Sequence, residues 1–172
     1  MGAARTGVVA RLGDMVVARL GVRRDGDAPP DPGRGLVTVR GLERVVGDVR
    51  RQAVRRGRHV AALTVDLVAL TAEADLTPGG PLVADLLEAS VRTTDRIART
   101  APGRFAVLLA ADPTYTLDTA ERLHRGSRRG LRAHGLGVRV GAAWQPVQAC
   151  GGPAECWLPG LLEEAARTPR FG

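Results

Sequence analysis

The sequence predicts an α+β sandwich, a central and mainly antiparallel sheet with helices packed on it. Three observations carry that reading. "HVAALTVDLVAL" (59–70) is a continuous apolar run rich in Val and Leu, as a buried central strand would be. "RIART" (96–100) and "RFAVLLAA" (104–111) flank a tight turn at Ala101–Gly103, which predicts a hairpin. The stretches between these runs repeat their apolar residues at helical spacing.

Taken in order, residues 7–22 place Val8, Val9, Leu12, Val16 and Leu20 on one helical face, although Gly7 and Gly13 weaken it. "RRDGDAPPDPGRG" (23–35), rich in Pro, Gly and charge, reads as a linker. The chain therefore divides into an amphipathic helix with its linker over 1–30 and one globular domain over 31–172. Residues 41–56 carry apolar side chains at 42, 45, 46, 49 and 53, a helical period. The strand over 59–70 follows, interrupted by Asp66, and "LTPGG" (76–80) breaks the chain. A second helix is predicted over 81–95, with Pro81 in its first turn. After the hairpin, a third helix is predicted over 117–135, with Thr116 or Asp118 near its start. "LGVRVGAAWQP" (136–146) is another strand, "GGPAECW" (151–157) a loop, and "LPGLLEEAAR" (158–167) a short last helix.

A length of 172 residues and a hydrophobic fraction of 44% suit one domain with a real core. Aromatics are only 3%, so Leu, Val and Ala must fill it. No apolar run reaches the roughly 20 residues of a membrane span. Arg5 is followed by an amphipathic stretch rather than a solid apolar segment, so a cytoplasmic protein is expected. The net charge is +7, and the chain has neither Lys nor Asn. Arginine suits bidentate contacts with phosphate and guanine. The aromatics of a single-strand binder are nearly absent and no DNA-binding helix stands out, so a small anionic ligand is expected and DNA is not. Cys150 and Cys156 read as reduced thiols, and His59, His124 and His134 show no metal-ligand spacing, so no metal or cofactor is expected.

Five segments in chain order resemble the GGDEF (diguanylate cyclase) domains. "DPGRGLVTVRGL" is similar to that family's opening motif D-P-L-T-G-L-P-N-R-R-x-F, keeping Asp31, Pro32, Gly35, Leu36 and Arg40. "ALTVDLVAL" resembles the strand ending D-x-D-x-F-K, keeping Asp66 alone. "VRTTDRIARTAPGRFAVLL" resembles V-R-x-x-D-x-x-A-R-x-G-G-D-E-F-x-x-L-L, "TAERLHRGSR" the helix after it, and "LGVRVGAAW" the later strand. The resemblance covers about residues 31–167 and implies a cyclase palm-like fold.

The signature of the family reads Ala101, Pro102, Gly103, Arg104, Phe105 in this chain. Gly103 offers no carboxylate, Arg104 puts a cation where an acid belongs, and Val68 replaces the second Asp of D-x-D. The asparagine that reads guanine in the family and its lysine-bearing last helix are missing too. Magnesium needs hard oxygen ligands bridging to substrate phosphates. Asp66 is therefore read as vestigial, a polar residue at a strand end hydrogen-bonded to a nearby backbone amide, and no cyclase activity is expected. Asp75 and Asp85 are read as surface residues, and Glu163 and Glu164 as the solvent face of the last helix.

What persists is R-x-x-D, Arg92 to Asp95, five residues before the position of the first signature glycine. The resemblance implies that this is the family's inhibitory site, which binds cyclic di-GMP. An arginine fork matches phosphate or guanine O6 and N7, and a carboxylate accepts from guanine N1 and N2. Spaced i and i+3 on a helix end, the two groups share one face. The resemblance further implies Arg122 as a second arginine, in the family often from another protomer, and Arg96 and Arg99 are further candidates. The expected protein is a catalytically dead receptor for cyclic di-GMP, a dimer bridged by the ligand. A nucleotide-independent protein-interaction module and a GTP-binding sensor are the alternatives, and a surface ion pair is the alternative for Arg92 and Asp95.

Overall fold

The computed structural model describes residues 39–172. The predicted helix over 7–22, the linker, the boundary at residue 30 and most of the opening motif lie outside them. The elements run α1 (Val39–Arg56), β1 (His59–Ala69), α2 (Gly79–Ser90), β2 (Arg96–Ala101), β3 (Arg104–Ala111), α3 (Pro113–Leu131), β4 (Leu136–Pro146), α4 (Ala154–Arg167) and β5 (Pro169–Phe171). The five strands form one antiparallel sheet in the order β2-β3-β1-β4-β5. Among the described residues no helix is long and apolar enough to cross a membrane.

Strand β1 lies at the centre and is covered on both faces, which is why its sequence does not alternate. Ala61, Leu63, Val65 and Leu67 point to one face and pack with Val83 and Leu87 of α2 and Leu123 of α3. Val60 and Ala62 point to the other, where Leu42, Val46, Val49 and Ala53 of α1 meet Leu158, Leu161 and Leu162 of α4. Asp66 belongs to this second face, opposite Arg104 of β3 and Arg139 of β4. At the hairpin Pro102 and Gly103 make the turn, and Gly103 takes φ +70°, a backbone that favours glycine. A register shift between Arg99 and Ala101 leaves Thr100 as the extra residue of a bulge.

Several boundaries differ from those expected, and each has a local cause. Helix α2 ends at Ser90, because Val91 is extended (φ −107°, ψ 165°). Helix α3 begins at Pro113, ahead of Thr116 and Asp118. Asp112 caps it by accepting the Tyr115 N–H at 2.8 Å, and Pro113 needs no such partner. Helix α4 begins at Ala154, inside the expected loop, since burial of Trp157 and Leu158 extends it backwards. Strand β5 was not expected; three residues that include a proline carry no readable period.

The close approach of α4 to the sheet depends on Gly141. A Cβ there would lie 1.9 Å from the Ala165 carbonyl oxygen and 2.8 Å from Thr64 Oγ1. Gly141→Ala is expected to cost about 2–3 kcal/mol and lower Tm by about 4–12 °C. Gly130→Ala, whose Cβ would meet nothing within 4 Å, is the control and should melt near the wild type. Equal melting of Gly141→Ala and wild type would show that α4 does not pack as described.

Candidate functional site

The R-x-x-D residues lie in the turn between α2 and β2 rather than on a helix end. Asp95 builds that turn. Its Oδ2 accepts the Arg92 backbone N–H at 2.9 Å, while its own N–H donates to the Arg92 carbonyl at 3.0 Å. Such side-chain-to-backbone bonds compete with helical ones and explain why α2 stops short of Asp95. Arg96 is taken up by the same turn, its Nη1 donating to the carbonyls of Thr93 and Asp95, each at 3.0 Å. The Arg92 guanidinium lies over the Tyr115 ring, 3.9 Å from its centroid. The carboxylate therefore bonds the backbone of Arg92 and the guanidinium stacks elsewhere, so neither the direct ion pair nor a shared helical face describes the pair.

Arg122, on the third turn of α3, converges on the same place. Its guanidinium is 5.7 Å from the Tyr115 centroid, and its Nη2 donates to the Ser90 carbonyl at 3.3 Å and to Thr119 Oγ1 at 3.1 Å. One arginine thus closes the last turn of α2 and reaches the same ring as Arg92. Arg99 does not join them. Its Nη2 is 3.7 Å from where a Cβ would stand on Gly80, at the opposite end of the 12-residue α2.

Burial pushes the Asp95 carboxyl above its usual value. The Arg92 N–H opposes this, as do the charges of Arg92, Arg96 and Arg56. A raised folded pKa means the native state holds its proton more tightly than the unfolded chain does. The resulting stabilisation is complete below the unfolded value near 3.8 and is lost as pH rises through the folded pKa. Asp95→Asn keeps an oxygen to accept the Arg92 N–H and carries no charge to bury. It should therefore be at least as stable as wild type at pH 7, an advantage that disappears at pH 3.5. Thermal melts across that range check it; a variant clearly less stable at pH 7 would contradict it.

At the hairpin, Asp66 sits within β1 and not at a strand end. Arg104 Nε lies 3.0 Å from its Oδ1, across the β1–β3 pairing. The expectation of a backbone amide partner is corrected: the acid holds the cation that the chain puts beside it. The two line a pocket of about 380 Å³ together with Thr64, Thr100, Arg139 and Glu163. Glu163 was expected on the solvent face of the last helix but turns towards this pocket and pairs with Arg167; Glu164 is exposed as expected. Asp75 accepts the Thr77 N–H at 2.8 Å in an exposed turn. A magnesium ion does not fit the residues here. The acid is already paired, and among the described residues no three His, Cys, Asp or Glu side chains gather as ligands.

No family model and no curated protein matches the chain. Solved structures do. A sensory box/GGDEF family protein from Caulobacter crescentus superposes with a TM-score of 0.60 at 20% identity, over 83% of this chain and 96% of that one. A microbial GGDEF domain, described in its interaction with cyclic di-GMP, gives 0.58 at 20% identity over 80% and 88%. The chain has the GGDEF-domain fold. Diguanylate cyclase SiaD from Pseudomonas aeruginosa, in complex with its activator SiaC, gives 0.59 at 17% identity over 95% of this chain and 66% of that one.

Ala101–Phe105 span the β2–β3 turn, from the end of β2 into β3, and Phe105 is a core residue, 2% exposed. Reading the sequence missed Tyr115, the chain's one tyrosine, and missed Arg56, whose charge reaches Asp95. The signal for Tyr115 was present: Asp112-Pro113 is a helix start, which puts residue 115 in the first turn. Arg56 had none, because its nearness to Asp95 depends on how α1 packs.

Proposed function

We propose that this chain is a GGDEF-like domain that no longer condenses nucleotides and instead binds cyclic di-GMP through Arg92, Asp95 and Arg122. The observation that carries this reading is the convergence of Arg92 and Arg122 on one ring, with Arg92 coming from the turn that Asp95 builds. Two guanidinium groups drawn to one ring, with a carboxylate in the adjoining turn, supply the groups that a guanine base and a phosphodiester need, arginine for O6, N7 and phosphate and carboxylate for N1 and N2. Arg99 is dropped from the site, since it stands a helix length away. No metal or cofactor is assigned, and loss of catalysis follows from the Arg104–Asp66 pair, which also disfavours the GTP-sensor reading. A microbial GGDEF domain of this fold interacts with cyclic di-GMP, which lends support. The ligand has two guanines, so a second protomer can take the other half, and ligand-bridged dimerisation is part of the proposal.

Calorimetric titration with cyclic di-GMP, run beside light scattering, tests it. Micromolar or tighter binding with a rise in mass is the expected result. No heat up to millimolar ligand would end the receptor reading. A partner pull-down indifferent to added nucleotide would then favour a protein-interaction module, the role that the complex of SiaD with its activator brings to mind.

A further inference from the structure

Resting on the receptor reading, the geometry points to Tyr115 as the positioning residue of the arginine pair. We propose that its ring is the platform that holds Arg92 and Arg122 in place for the dinucleotide. Arg92 comes from the turn after α2 and Arg122 from α3, and both guanidinium groups lie against this one ring, at 3.9 and 5.7 Å. Both residues are exposed, and a free arginine side chain of that kind samples many rotamers that binding must freeze. Stacking on a fixed aromatic face removes part of that cost before the ligand arrives.

The backbone of Tyr115 is anchored at the start of α3. Its backbone N–H donates to Asp112 Oδ1 at 2.8 Å, and Arg58 donates to the same carboxylate at 2.8 Å. Its carbonyl accepts from Thr119 Oγ1 at 2.8 Å, and that hydroxyl in turn receives Arg122 Nη2 at 3.1 Å. Residues 115, 119 and 122 therefore form one line on the α3 face, at the i, i+4 and i+7 spacing. The side chain is half-buried and packs against the core shared by α2, α3 and the sheet. An anchored, electron-rich ring offsets part of the repulsion between two cations brought to it from different elements.

Tyr115 acts through the arginines, so the experiment separates that from simple packing. Tyr115→Phe keeps the ring and should bind cyclic di-GMP within about twofold of wild type. Tyr115→Leu removes the π face and should weaken binding about five- to thirtyfold. The losses in Arg92→Ala and Tyr115→Leu should fall short of multiplying in the double variant, because each removes the same contact. In the ligand-free protein, the Arg92 Nε–H resonance should carry a ring-current shift that survives in Tyr115→Phe and vanishes in Tyr115→Leu. That readout stands even if Tyr115→Leu melts early. A wild type that binds while Tyr115→Leu binds equally well, or fully multiplicative losses, would overturn the platform alone. A wild type that does not bind would remove the receptor reading and this role with it.

Discussion

Arg92→Ala is expected to weaken cyclic di-GMP binding by about ten- to a hundredfold while leaving the fold intact. A bidentate arginine–guanine contact discriminates by about 1–3 kcal/mol, and a charge-assisted bond to phosphate adds to it. The side chain is exposed, and what it gives the free protein is one cation–π contact, about 0.5–1 kcal/mol at such a site. Calorimetry should therefore show a large change in Kd, and thermal melting a small one. Raising salt should weaken the wild type more than the variant, since one fewer charged contact is left to screen. Tight binding that survives Arg92→Ala would move the ligand away from this turn; a variant that fails to fold would mean that Arg92 is structural.

Arg104→Glu should convert a neutral pair into two facing carboxylates and, in doing so, create a response to divalent cations that the wild type lacks. The Arg104 and Asp66 side chains are 39% and 24% exposed, so their pairing contributes only about 0.5–1 kcal/mol. Like charges directly across two strands add a similar penalty. The total, about 1–2 kcal/mol, corresponds to a Tm lower by about 2–8 °C in a chain of this size. Millimolar Mn²⁺ should recover much of that loss in the variant by binding only its native state, and should leave the wild-type melt unchanged. Two outcomes would count against the Arg104–Asp66 account: a variant as stable as wild type without metal, or a wild type that Mn²⁺ stabilises equally.

Much of the architecture was legible because it rests on local chemistry. The run 59–70 is apolar at nearly every position because β1 is covered on both faces, and the spacing of 42, 46, 49 and 53 matches the buried stripe of α1. The hairpin was legible from Pro102-Gly103, whose backbone preferences act within the turn itself. The misread boundaries fall where a side chain overrides propensity, as Asp95 does at the end of α2 and Asp112 at the start of α3. Helix α4 was read short because burial of Trp157 extends it, a tertiary effect invisible in the "GGPAECW" stretch.

The candidate site divides along the same line. The chain's own residue types determined that arginine and aspartate stand three apart before a hairpin, and that Arg104 directly follows the Pro102-Gly103 turn. Those statements depend only on which residue follows which. That Arg104 closes on Asp66 required the register of β1 against β3, and that Arg92 meets Arg122 over Tyr115 required α2 and α3 to pack as they do. Contacts of this kind join residues far apart in the chain, and their geometry is decided by the packing of whole elements, which no local spacing encodes.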